Sequence, residues 1–284
     1  MRAVNLIARD TILELSKRKV LLAIVIAVAL TVLLYVIAIA VEPSSVQKMV
    51  DRMTSGRDLS PDQVAALSMQ IRKQGYGILV SVFSFVMEVL GTLIALIMFG
   101  TLIPAEIERG SIKFLISKPV SRLEVAAGKW TAGCMVLLCY SAGTSLLQAL
   151  SSLYLTGGIT GDTLHTFPFL FCKLLMRGSV AMCLSVAMTP VLAGVLAFFI
   201  SGDIFAFLAG ITGQSPLFVA LSYLLPNYSA FPVHSFWNTM AHAVGASVPE
   251  LSVLDIAARC AYGLFYAAAM LFLTIRQFNG KDLT

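Results

Sequence analysis

The feature that most constrains this chain is an uncharged apolar run of 22 residues, Val20 to Val41, that follows the basic cluster Lys17-Arg18-Lys19. A helix of that length spans about 33 Å, enough to cross the hydrocarbon core of a bilayer. Comparable runs recur at 78–103, 131–155, 174–200, 204–225 and 260–275, separated by polar segments. Composition points the same way. The 284 residues are 58% hydrophobic and 12% charged, with a mean hydropathy of +0.88. Soluble domains run at about 25% charged, so this chain has too little polar surface to cover a water-soluble globule. The expected fold is an all-α membrane protein with six transmembrane helices in a single domain, 1–284. Ala38-Ile39-Ala40 resembles a signal-peptide cleavage site, but the first run exceeds the usual ~7–15 apolar residues, so it reads as a retained span.

The segments between the runs carry their own signals. Within 1–19, Val4, Ile7, Ala8, Thr11, Ile12 and Leu15 fall on one helical face and Arg2, Asn5, Arg9 and Lys17 on the other, interrupted by Leu6 and Leu13. That pattern predicts an interfacial elbow helix. The polar stretch 42–76 reads as an extracytoplasmic hairpin of two short helices. Gly56 ends the first, and Ser60-Pro61-Asp62-Gln63 opens the second as a capping box with proline at the first helical position. Residues 156–172 read as a loop, and Pro190 is expected to kink the fourth span. Gly210 to Pro216 interrupts the fifth run, giving either one distorted helix or two half-helices. The segment 226–256 places Val233, Trp237, Met240 and Val244 at helical spacing. His234, Met240 and His242 lie there. Eight residues separate the two histidines, about 12 Å along a helix, too far to share an ion without a bend. The segment therefore reads as an interfacial helix anchored by Trp237. The five cysteines form neither a disulfide framework nor a zinc pattern.

Charge sets the expected orientation. Twenty Lys and Arg against 15 Asp and Glu give +5, an excess that in a membrane protein suits loops facing anionic lipid better than nucleic acid. With both termini and 103–130 cytoplasmic, 12 basic residues lie inside and 8 outside. This favours termini inside, in the plasma or inner membrane.

The segment 104–130 is the most informative. It contains Glu106-Ile107-Glu108-Arg109-Gly110-Ser111-Ile112-Lys113-Phe114-Leu115-Ile116-Ser117-Lys118-Pro119-Val120-Ser121-Arg122, then Gly128-Lys129. Ile112, Leu115 and Ile116 make a short apolar face, Lys113 and Lys118 lie opposite, and Pro119 stops the helix. Two readings are open: a compact amphipathic helix shaped for a partner's groove, or a solvated basic loop. This run resembles the signature of ABC transporter permeases of the ABC-2 type. The elbow before span one, Leu225-Pro226-Asn227, and Arg276-x-Phe278-x-x-Lys281-Asp282-Leu283 at the tail agree with it. The resemblance implies that the segment is a coupling helix docking on a separate ATPase subunit. That role falls on Glu108, Arg109, Gly110, Phe114, Leu115, Pro119 and Arg122. It also implies a dimer of permeases, most simply a homodimer, working in export, with room for an extracytoplasmic accessory protein. ATP and Mg would belong to the partner, because no Gly-x-x-x-x-Gly-Lys-Ser/Thr is present: Gly128-Lys129 is followed by Trp130. The chain is expected to be no enzyme and to hold no cofactor or metal of its own.

Glu88 sits well inside the second run, where an ionisable group costs about 2.5–3.5 kcal/mol by insertion scales. It is either a carboxylate on a substrate or proton path between permeases, or an acid held in a helix contact. Gly91-x-x-x-Ala95 beside it is a small-residue pair of the kind that lets helices approach closely, and a candidate dimer face. The competing functions are a secondary transporter or channel using Glu88, and a non-transporting anchor or mechanotransmission subunit.

Overall fold

A computed structural model describes residues 2–16, 19–54, 60–104, 121–156, 161–212, 215–231 and 251–280. Among the described residues every regular element is an α-helix. In chain order these are α1 (Arg2–Ser16), α2 (Lys19–Thr54), α3 (Pro61–Leu102), α4 (Arg122–Thr156), α5 (Gly161–Ala187), α6 (Pro190–Phe199), α7 (Gly202–Ile211), α8 (Pro216–Leu224) and α9 (Val253–Asn279). Four stretches are long and apolar enough to cross a membrane: Gly77–Leu102, Arg122–Tyr154, His165–Ala187 and Val253–Asn279. Pro190–Phe199 and Gly202–Ile211 form a further apolar pair bent by 48°, and Val25–Val41 is a shorter apolar stretch within α2. The protein is an all-α membrane protein.

Its surface is inverted relative to a soluble fold. Leu30, Leu34, Phe85, Leu150, Phe265 and Phe272 are exposed, while Ser81, Ser84, Ser141, Gln148 and Ser152 are buried. Buried polar groups need partners inside the protein, since the surrounding lipid offers no hydrogen bonds: Ser81 and Ser141 turn back to the Gly77 and Leu137 carbonyls of their own helices, and others bond across helices. Tyr35 Oη lies 2.7 Å from Ser151 Oγ, Gln148 Nε2 donates to Ser84 Oγ at 2.7 Å, and Tyr140 Oη donates to the Met87 carbonyl at 2.6 Å. These bonds join α2, α3 and α4.

At the centre stands α5, which packs against α3, α4, α6 and α9. The tightest knot is Phe99 of α3. Its ring lies where a Cβ on Gly133 of α4 would come within 2.4 Å and one on Gly178 of α5 within 2.8 Å. Two bare backbones thus close on one aromatic side chain, and Phe99 is completely buried.

Several helix boundaries differ from the sequence reading. The capping box is present: Ser60 Oγ accepts from the Gln63 amide, and Gln63 accepts from the Ser60 amide, with Pro61 at N1. The helices it was expected to delimit are not separate units, however. α2 runs unbroken from Lys19 to Thr54 and α3 from Pro61 to Leu102, so 42–76 consists largely of extensions of the membrane helices. At 36 and 42 residues they measure about 54 and 63 Å, well beyond a ~30 Å core. The 156–172 loop is already helical from Gly161 and carries Pro168 inside α5, next to the buried Phe169 and Leu170. Pro190 does not kink a continuous span. It starts α6 at N1, after an extended Thr189, since proline suits a first turn better than an interior one. The fifth run divides into α7 and α8. Gly91 is not on an outer face. A Cβ there would meet Tyr140 at 2.7 Å and Leu174 at 2.8 Å, and Ala95 is fully buried, so this pair serves packing within the chain.

Alanine favours helix over glycine by about 1 kcal/mol where nothing else intervenes. At Gly178 the sign should reverse. Gly178→Ala is expected to destabilise by about 1–3 kcal/mol through overpacking against Phe99, read as a lowered Tm in detergent, and Phe99→Leu in the same chain should recover most of the loss.

Candidate functional site

Four side chains meet near the middle of two membrane-length apolar stretches, Gly77–Leu102 and His165–Ala187, because two helices each offer an i, i+4 pair on one face. Glu88 and Thr92 lie one turn apart on α3, and Lys173 and Arg177 one turn apart on α5. Glu88 is 11 residues beyond Gly77, about 16 Å into the span. Its Oε1 lies 2.8 Å from Lys173 Nζ and 3.4 Å from Arg177 Nη1. The same Arg177 nitrogen donates to Thr92 Oγ1. The three charged side chains are only 12–20% exposed. Charges this deep persist only when paired, and here one carboxylate oxygen serves two cations.

The other side of the cluster comes from the turn after α8. The Arg177 guanidinium lies 4.5 Å from the centre of the Tyr228 ring, a cation–π contact. Tyr228 is held by Asp203 in the first turn of α7. The Asp203 carboxylate accepts the Tyr228 amide at 2.9 Å and the Ser229 amide at 3.1 and 3.2 Å, and Ser201 Oγ at 2.9 Å. Gly202 donates to the Pro226 carbonyl at 2.8 Å. A Cβ on Gly202 would stand 2.6 Å from the Ser222 carbonyl oxygen, so only glycine lets the turn come this close. Beyond it, the Asn227 amide donates to Tyr262 Oη at 3.1 Å, and Arg259 to the Ala230 carbonyl at 2.7 Å. The turn therefore fastens α7 to α9 and sets Tyr228 on Arg177. Tyr228 Oη and Arg177 Nε are buried, with no hydrogen-bond partner among the described residues.

Glu88 is thus an acid in a helix contact, with its partners now visible. The sequence reading started the fourth span at Leu174, which left Lys173 outside it and Arg177 in its first turn. Both are interior to α5, and their i, i+4 spacing opposite Glu88 and Thr92 was the signal available. Leu225-Pro226-Asn227 marks the turn itself, while Asp203 and Tyr228 carried no motif.

A second junction lies at the start of α4. Ser121 and Glu124 form a capping box: the Ser121 amide donates to Glu124 Oε2 at 2.9 Å, and the Glu124 amide to Ser121 Oγ at 3.2 Å. Arg122 reaches to the far end of the chain. Its Nη1 donates to the Phe278 and Asn279 carbonyls at 3.1 and 3.2 Å, with the guanidinium carbon 5.8 Å from the Phe278 ring centre. It satisfies acceptors that a helix C-terminus leaves open. Arg122 is therefore engaged within the chain, whereas Glu108, Arg109, Gly110, Phe114, Leu115 and Pro119 lie outside the described residues. So do His234, Met240 and His242. Among the described residues no group of three or more His, Cys, Asp or Glu could hold a metal ion.

Compared with known families, residues 5–283 match a family described as ABC-2 family transporter protein. No curated protein matches the chain.

Asp203 should be the most sensitive acid of the turn. Asp203→Ala removes an ionised acceptor from two amides, each such bond contributing about 1.5–3 kcal/mol. Thermal unfolding should fall accordingly, and amide exchange at 226–231 should accelerate. Asp203→Asn, which keeps one acceptor, should lie between wild type and Asp203→Ala.

Proposed function

The chain belongs to the ABC-2 transporter family, and from that membership we propose that it is the membrane-spanning permease subunit of an ABC transporter. In this reading a separate ATPase subunit binds and hydrolyses ATP, and the permease converts its closure into movement of the helices, in the direction of export. The observation that carries the proposal is the extent of the family match, from elbow to tail. The residues support it in two ways. No phosphate-binding loop occurs in the sequence, so nucleotide chemistry is assigned to the partner. The segment 104–121 joins the end of α3 to the start of α4, and its apolar residues at helical spacing suit a groove on that partner.

The docking role is assigned to Glu108, Arg109, Gly110, Phe114, Leu115 and Pro119. Arg122 becomes the anchor that ties this segment to the end of α9. Two copies of the chain, each with its ATPase, complete the proposed assembly. Both termini are proposed to be cytoplasmic. Lys173 and Arg177 counted among the 8 basic residues outside, but they lie within α5. Arg122, Lys129, Arg259 and Arg276 likewise fall within membrane-crossing stretches, and setting all six aside leaves 9 basic residues inside against 5 outside, which keeps the inward bias.

Two outcomes test the proposal. Phe114→Ala with Leu115→Ala should leave the chain inserted at its normal level yet release the ATPase in pull-down. Truncating an interface anchor commonly costs about 1–4 kcal/mol, a tenfold to nearly thousandfold loss, and normal ATPase retention would place the dock elsewhere. The purified chain alone should show no nucleotide binding by equilibrium dialysis, and stoichiometric binding would overturn the division of labour.

A further inference from the structure

We propose that Lys173, Arg177 and Tyr228 form a binding site for the anionic head of an amphiphile, a carboxylate or phosphate group, with Glu88 as the internal counter-ion it competes against. The first ground is charge. Two cations and one carboxylate meet directly at mid-membrane depth, where an uncompensated charge is expensive. Asp203 is the next acid on the elements packed here, but its oxygens already accept the Tyr228 and Ser229 amides and the Ser201 hydroxyl. Arg259 adds another cation, turned to the Ala230 carbonyl.

The second ground is unused donors. Arg177 Nε and Tyr228 Oη are buried without a hydrogen-bond partner among the described residues, and Tyr228 is 97% buried, at 3% exposure. Buried donors of this kind are normally satisfied. A carboxylate or phosphate offers several acceptor lone pairs, and guanidinium with phenol hydroxyl is a donor set suited to it. The Arg177–Tyr228 stacking holds these donors together before any ligand arrives.

The third ground is the apolar groove next to the cluster. Leu96 lies one turn beyond Thr92 on the same face of α3, and Thr92 is bonded to Arg177. Leu96, Leu93 and Ile97 face Pro190, Val195 and Phe198 of α6 across a cavity of about 440 Å³. That volume is in the range of small-ligand sites, and its lining is almost wholly apolar. The head donors on α5 and the turn after α8 are thus joined to the tail groove between α3 and α6 through Thr92, which bonds Arg177 one turn from Leu96.

The test is equilibrium binding of radiolabelled decanoate to the full chain in phosphatidylcholine nanodiscs, with decanol as the uncharged competitor. No ATPase is present, so failure here and failure of the ATPase-coupled reading register in different experiments. Wild type should bind decanoate, and decanol should compete weakly. Lys173→Gln and Arg177→Gln should each weaken binding by about tenfold or more. Glu88→Gln should lower the Tm yet tighten decanoate about tenfold, because the competing carboxylate is gone. A merely structural cluster would lower the Tm in all three variants and leave decanoate and decanol indistinguishable, which overturns the site. Where Arg177→Gln fails to fold, Lys173→Gln and Glu88→Gln decide, since the proposal requires them to move affinity in opposite directions. Nanodiscs containing phosphatidylglycerol separate the sources. Displacement of decanoate by that lipid assigns the site to a lipid headgroup, and undiminished binding assigns it to a free amphiphile.

Discussion

A guanidinium at the middle of a bilayer must be surrounded, and the arrangement around Arg177 meets that requirement from three directions. Glu88 and Thr92 approach from α3, Tyr228 from the turn after α8, and Lys173 shares the carboxylate from one turn away on α5. Each partner is itself fixed by something else, Tyr228 by Asp203 and α3 by the closure of Gly133 and Gly178 on Phe99. The cluster and the glycine knot share α3 and α5: Phe99 lies about three turns from Glu88 on α3, while Gly178 is next to Arg177 on α5. Electrostatic and steric constraints therefore fix one register between α3 and α5.

This pairing explains why α5 can be central despite carrying two basic residues. In water such residues would sit outside and the core would be apolar throughout. In lipid the apolar side chains are free to face outward, as Leu34, Phe85 and Phe265 do, and the polar ones must find each other inside. Tyr35 with Ser151 and Gln148 with Ser84 are the uncharged part of the same pattern.

Much of the fold was legible because the signals were local. Uncharged runs give membrane helices, and Ser60-Pro61-Asp62-Gln63 gives a helix start whose bonds the structure contains. The less legible parts depended on tertiary context. A proline in the first turn of α6 and one within α5 look alike in sequence, and they differ in the helix starts around them, at Pro190 itself for the first and at Gly161, before Pro168, for the second. Gly91-x-x-x-Ala95 announces a close helix approach without saying to which helix, and Tyr140 and Leu174 answer that. For the candidate site, Glu88 stood out by being alone in its run. Its partners did not, because Lys173 and Arg177 sit where a span boundary was drawn. Asp203 works through backbone amides that no motif records.

Two helices converge on the first turns of α4. The last turn of α9 is held by Arg122, α1 rests against Gly128 through Val4 and Ile7, and α4 is capped there by Ser121 and Glu124. The two ends of the described chain, more than 250 residues apart in sequence, thus share one foothold. The start of α4 is in this sense a keystone: α1 and α9 both bear on it, so none of the three can shift there without disturbing the contacts of the other two.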